Sequence, residues 1–220
     1  MVIVYVRGGD KTAPKIAEAS GMKYGTRHDY TPYAPVYMLD IHWDKYDWKD
    51  YLAKVKTYQP TMALAPDYYY RWQWTNLNRQ INDLRDLQVP HIMVCPKFMG
   101  AVKHIPLDCL IAVSVPTSYA GFLPDYSHLI GRKVHLLGGR VDIQGDLIRK
   151  LKGLDVEIVS VDGSHHAMKA AHGQFLVGGS WYQVRGGKVS SFDLCLASAK
   201  QVSKYLRMVY ETQTQERLFA

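Results

Sequence analysis

Short runs of β-branched and apolar residues alternate along the chain with longer amphipathic segments, and this alternation restricts the fold more than any other feature. The runs are Val2 to Val6, Val36 to Asp40, Thr61 to Ala65, His91 to Cys95, Leu110 to Val115, Lys133 to Leu137 and Val156 to Val161, each closing on a polar residue or a Gly/Pro cluster. Several are apolar at nearly every position, as in Ile-Ala-Val-Ser-Val at 111–115, the pattern of strands covered on both faces. Helical periodicity falls between them, over Ala13 to Ser20, Trp48 to Tyr58, Trp74 to Leu87, Gly121 to Ile130 and Ile143 to Leu151, with a last helix from about Phe192 to Glu211. Strand–helix alternation implies a parallel sheet. The expected fold is therefore α/β, a compact TIM-like (β/α)8 barrel forming one domain over 1–220, irregular or with fewer units, because 220 residues is below the usual ~250. An eighth strand is expected from Gln174 to Val177 or from a hairpin around Gly186-Gly187. A doubly wound sheet is the alternative, but Arg7-Gly8-Gly9-Asp10 after the first strand is no dinucleotide fingerprint.

Hydrophobic residues make up 47% of the chain, and no apolar run reaches the ~20 residues that span a bilayer. Met1-Val-Ile-Val-Tyr-Val6 runs directly into a turn, unlike a secretory leader, so a cytoplasmic protein is expected. Cys95, Cys109 and Cys195 are far apart and form no CxxC pair, which predicts reduced thiols and no zinc. A net charge of +7 favours polyanionic partners, although many basic proteins bind no nucleic acid.

Three of the runs end in aspartate: Val36-Tyr-Met-Leu-Asp40, Thr61-Met-Ala-Leu-Ala-Pro-Asp67 and Val156-Glu-Ile-Val-Ser-Val-Asp162. Singly, each reads equally well as a helix cap or a turn residue. In a barrel, however, the C-terminal strand ends meet on one face, and carboxylates gathered there can divide a glycosidic reaction between them. One attacks the anomeric carbon, a second moves the proton of the base, and a third accepts hydrogen bonds from the donor edge of guanine.

Asp40, the segment Pro60-Thr-Met-Ala-Leu-Ala-Pro-Asp67, the segment His135-Leu-Leu-Gly-Gly139 and the strand ending in Asp162 occur in an order that resembles the tRNA-guanine transglycosylase family, over roughly Val36 to Gly179. The resemblance implies Asp162 as nucleophile, Asp40 as general acid/base, Asp67 as the residue reading the purine, and Gly138 and Gly139 as the floor beneath it. The family's CxCxxC plus His zinc site is missing, so the chain is most similar to the zinc-free phage and bacterial DpdA group, which acts on DNA. Where the family places a glutamine and glycine against the base, this chain has Cys95, Pro96 and Lys97, so the identity of the base does not carry over.

Around this set lie further candidates. Tyr24-Gly-Thr-Arg27-His28 reads as a loop before the second strand, with Arg27 either a phosphate contact or a solvated charge. His165, His166 and Lys169 follow Asp162 at the start of a helix, where cations meet phosphate, and without a third spaced ligand the His pair predicts no metal. Tyr68, Tyr69, Tyr70, Trp72 and Trp74, with Arg71 among them, are read as base-stacking residues of which some pack beneath the next helix. Lys97 and Arg140 follow strands and are expected on the active face; Arg132 and Lys133 precede one and belong on the opposite face.

These readings predict a base-exchange enzyme, a pentosyltransferase that replaces guanine in a nucleic acid, DNA rather than tRNA, with a free 7-deazaguanine, needing no cofactor and no membrane. Two alternatives remain at this level: a DNA glycosylase using the same site, and a non-catalytic nucleic-acid-binding barrel.

Overall fold

The structure, a computed structural model, describes residues 1–117, 122–177, 180–184 and 189–218, with side chains up to residue 212. Eight parallel strands close into a barrel: β1 (Val2–Val6), β2 (Lys23–Arg27), β3 (Met38–Asp40), β4 (Met62–Leu64), β5 (His91–Val94), β6 (Leu110–Ser114), β7 (Lys133–Leu137) and β8 (Glu157–Asp162). Closure is made by β8 against β1, with Val4 opposite Asp162. Helices α1 (Ala13–Ala19), α2 (Trp48–Tyr58), α3 (Trp74–Asp86), α4 (Val141–Gly153) and α5 (His165–Ala171) cover the outside. Among the described residues, the connections after β2, β5 and β6 contain no α-helix, which is how eight strands fit into so short a chain.

The eighth barrel strand is not the one expected. It is β2, Lys23-Tyr-Gly-Thr-Arg27, whose glycine and terminal charges read as a loop. The glycine is imposed by packing: a Cβ on Gly25 would lie 2.8 Å from Val6 Cγ2 and 3.0 Å from Val4 Cγ1 on the adjoining strand. Gln174–Val177 is indeed a strand (β9), but it pairs antiparallel with β10 (Ser180–Gln183) outside the barrel, packed against α6 (Ser191–Leu218). The hairpin expected around 186–187 lies outside the described residues. The helix expected over 121–130 is also corrected. Its start falls at residues outside the description, and beyond it only a 3₁₀ turn forms at Tyr126–Leu129, after Pro124, which has no N–H to donate, and an Asp125 side chain that accepts from Ser127 N.

The barrel interior is filled rather than hollow. Ser160 on β8 lies 3.9 Å from Met62 Sδ on β4, four strands away around the ring, so both side chains point across the lumen. The β7–β8 register shifts between Val134, opposite Ile158, and His135, opposite Ser160, leaving Val159 as an extra residue. A bulge of this kind re-aims the side chains beyond it. Here it brings Ser160 and, two residues on, Asp162 onto the inner side.

Tyr51 of α2 is fully buried and donates its hydroxyl to Leu39 O (3.2 Å) and Leu64 O (2.8 Å), tying the ends of β3 and β4 together just before Asp40. Tyr51→Phe leaves these carbonyls without that donor and is expected to cost about 1–2 kcal/mol, read as a lowered denaturation midpoint. An unchanged midpoint would show that the bridge contributes nothing.

Candidate functional site

The C-terminal ends of the strands open into a cavity of about 1070 Å³. It is lined by Arg7 and Gly8 after β1, Arg27 and Tyr30 after β2, Asp40 at the end of β3, Gly138 to Arg140 after β7, and Asp162 to His165 after β8. Asp40 and Asp162, 122 residues apart in sequence, thus share one space.

Asp162 is the better anchored. Its Oδ1 accepts from Gly138 N at 2.8 Å and lies 3.0 Å from His135 Nε2. His135 Nδ1 is in turn 2.8 Å from Ser160 Oγ, and both residues are fully buried in the barrel. The network assigns the ring its tautomer: Nε2–H donates to Asp162 and Nδ1 accepts from the serine hydroxyl. Gln144 of α4 donates to both Gly138 O (2.7 Å) and Asp162 O (2.6 Å), locking the β7 loop to the end of β8. All the contacts to the carboxylate fall on Oδ1, which leaves Oδ2 for a ligand. Sequence reading missed His135, Ser160 and Gln144 as site residues. The available signal was a polar residue at the middle of each apolar segment: His in Lys-Val-His-Leu-Leu, Ser in Glu-Ile-Val-Ser-Val-Asp, and Gln on the buried face of α4.

Asp40 has the opposite environment. Burial first, and then the negative charges of Asp162 and Asp67, push its carboxyl up to about 8, against a weaker opposing pull from Ile41 N–H and Arg27. At neutral pH it carries a proton. Asp67 feels the same competition. Burial raises it, while Lys97 Nζ at 3.3 Å and the Tyr69 hydroxyl at 3.1 Å, both on Oδ2, oppose the rise. Asp67 does not line the open cavity; it reaches Asp40 through its field.

Several expected contacts require correction. Tyr68 and Cys95 are fully buried, Tyr68 in a ring cluster with Trp74, Phe98 and His104, so neither reaches a ligand. Burial also raises the Cys95 thiol, making it inert. His166 packs against Tyr5 beneath α5, and burial lowers it to about 4, so it is a neutral core residue and no phosphate contact. Lys97 is committed to Asp67, and Lys169 lies 5.9 Å over the Trp181 ring, away from the cavity lining. Arg27 and Arg140 do line the cavity, but each already forks onto a carboxylate, Asp29 and Asp142 respectively. Arg27 moreover lies against Tyr30, which itself rests on the Gly8 backbone, where any Cβ would sit 2.0 Å from its ring. Arg132 holds Val102 and Pro106 carbonyls in the barrel wall, a structural role.

The two glycines after β7 are unlike one another. Gly138 has φ +65 and open space where a Cβ would be; Gly139 has φ +88, and a Cβ would lie 2.3 Å from Val115 Cγ1. Gly139→Ala is therefore expected to destabilise by about 2–4 kcal/mol through left-handed strain plus overpacking, and Gly138→Ala by only about 1 kcal/mol. Equal denaturation midpoints for the two variants would refute this assignment. Among the described residues no group of three or more His, Cys, Asp or Glu side chains is arranged to hold a metal ion.

The fold and site define an α/β barrel with a paired-carboxylate mouth. The chain belongs to a family of unknown function, DUF6610, whose model matches residues 17–207. No curated protein matches the chain in sequence. Among solved structures it is similar to a truncated form of 3-deoxy-D-arabino-heptulosonate 7-phosphate synthase from Thermotoga maritima, with a TM-score of 0.56 at 10% identity, over 98% of this chain and 87% of that one. That likeness establishes the barrel and nothing about chemistry. No helix among the described residues is long and apolar enough to cross a membrane.

Proposed function

We propose that the protein is a base-exchange enzyme acting on DNA, in which a purine is extruded into the barrel mouth and replaced by a free 7-deazaguanine. The observation that carries this reading is the pairing, in one cavity, of an anchored carboxylate, Asp162, with a protonated carboxyl, Asp40. Carboxyl groups whose surroundings separate their proton affinities divide into nucleophile and acid.

In the first half-reaction Asp162 Oδ2 forms a bond to C1′ as the C1′–N9 bond breaks, and the departing guanine takes its electron pair together with the Asp40 proton. In the second, Asp40 accepts the N9 proton of the incoming deazaguanine, whose nitrogen attacks C1′ and expels the Asp162 carboxylate. The sugar keeps its configuration through two inversions and no strand is cut. Extrusion is needed because the glycosidic carbon is out of reach within a stacked duplex. The cavity of about 1070 Å³ is ample for a purine nucleotide. Arg7, Arg27 and Arg140 at its edge supply positive charge, each moderated by its own aspartate.

Incubation of guanine-labelled DNA with the protein, with and without a free 7-deazaguanine, tests this. Exchange requires label release that depends on the added base and leaves an intact strand. Abasic sites formed without it identify a glycosylase, and label retained in DNA but lost from tRNA shifts the substrate to RNA. No release from either polymer would end the reading.

A further inference from the structure

The barrel mouth is chemically lopsided. The cavity glycines, Arg7, Arg140 and Asp162 belong to β1, β7, β8 and the loops after them, whereas Arg27 and Asp40 end β2 and β3, and the loops after β2, β3 and β4 carry exposed aromatics: Tyr33, Trp43, Tyr70 and Trp72. Because these loops all follow strand C-termini, they rise from the same face as Asp40 and Asp162.

The most organised element is the turn after β4. Tyr70 and Trp72 are 58% and 77% exposed, yet their rings stack at 5.8 Å with only 7° between planes. Flexible surface side chains would not need such support. Gln73 Oε1 accepts from both Tyr69 N (2.9 Å) and Tyr70 N (3.0 Å), and the backbone is pinned to the β5 loop by Tyr68 N to Cys95 O and Lys97 N to Tyr68 O, each 2.9 Å. Tyr69 continues the connection to the site by donating to Asp67. The exposed pair is therefore rigidly positioned relative to the cavity, at the cost of leaving two large rings in water.

Arg71 stands between them in sequence. Among the described arginine side chains it alone makes neither a hydrogen bond nor an ion pair; the cavity arginines are each spent on an aspartate. An uncommitted guanidinium beside a parallel aromatic pair, in a chain of net charge +7, matches a ligand that alternates planar rings with phosphates. Tyr, Trp and Arg are enriched at protein interfaces too, so it is the net positive charge that selects a polyanion as the occupant.

We propose that Tyr70 and Trp72 form a stacking platform for an unpaired base flanking the extruded nucleotide, with Arg71 on the adjacent phosphate, so that the protein binds single-stranded DNA across this side of the mouth. The proposal rests on the nucleic-acid reading above and adds the polarity of binding: strand on the β4 side, reacting nucleotide in the cavity.

Titration of the full chain with an oligothymidylate of about 20 nucleotides, followed by tryptophan fluorescence and anisotropy, tests it. Trp72→Ala and Tyr70→Ala are each expected to weaken binding roughly 5- to 100-fold, Trp72→Phe to retain most of it, and Arg71→Ala to reduce the salt slope by about one. Affinities within twofold of the parent for both alanine variants overturn the platform, and so does equal quenching by a neutral soluble glucan. Trp72-dependent binding without base exchange leaves the platform standing and removes the exchange chemistry. Exchange on an oligonucleotide that ignores Trp72→Ala does the reverse.

Discussion

Asp162→Asn is expected to abolish base exchange, lowering turnover by about 10⁴-fold or more, with little change in stability. The loss of rate follows from the chemistry: an amide oxygen is too poor a nucleophile to form the glycosyl ester, and removal of a covalent nucleophile commonly costs that much. The stability should survive because Asn keeps an oxygen for Gly138 N–H and His135 Nε2–H, the two contacts that hold the residue in place. Its new Nδ2 then falls where Oδ2 was, toward the cavity. The melting temperature is expected to move by no more than about 4 °C. A covalent protein–DNA adduct that survives denaturation should form with the parent protein and be missing in this variant. Turnover within tenfold of the parent would remove Asp162 from the reaction, whatever its position.

The strands that framed this site were legible because burial on both faces forces continuous apolar runs, as at Leu110–Ser114 and Glu157–Asp162. β2 was not legible, since its place against Val4 and Val6 demands a glycine, and Gly25 between charged ends reads as a turn. That is a tertiary constraint overriding a local signal. Gln174–Val177 has the opposite history: its apolar pattern is real, but it serves a hairpin under α6 rather than the barrel.

Among the site residues, the convergence of Asp40 and Asp162 could be anticipated from strand polarity alone, because parallel strands deliver their last residues to one face. What sequence could not supply was depth. His165 and His166 are adjacent, yet one lines the cavity and the other packs on Tyr5, a difference set by helix rotation. Tyr68 and Tyr70 are two residues apart and differ from fully buried to largely exposed, because Tyr68 is bridged to Pro96 against the barrel while Tyr70 stands before the 3₁₀ turn at its rim. The supporting shell of His135, Ser160 and Gln144 depends on the bulge at Val159, which has no composition of its own. Arg27 and Arg140 were identifiable as cations of the mouth; that each is neutralised by a carboxylate two residues on becomes evident only from the side-chain geometry.

Asp40→Asn is expected to stabilise the protein at and above neutral pH while suppressing catalysis. The native carboxyl holds its proton until about pH 8, whereas in the unfolded chain it releases it near 3.8. Below pH 4 both states are protonated and Asp40 adds no pH-dependent term. Between 4 and 8 the native state binds more protons than the unfolded state, so stability falls as pH rises, and above 8 the penalty stays constant. A shift of this size corresponds to roughly 6 kcal/mol in full, and water entering the open cavity reduces it to on the order of 3 kcal/mol. Asn has no proton to lose. The parent's denaturation midpoint should therefore decline across pH 4–8 and the variant's should decline less, the two curves separating most above pH 8. In the parent, exchange should fall along an alkaline limb near pH 8, as the proton needed by the departing guanine is lost; in the variant the first half-reaction should be slow at every pH, with the covalent adduct forming late. Parallel stability curves for the two proteins would mean that Asp40 ionises like a surface carboxylate, and the acid role would then fall to another group.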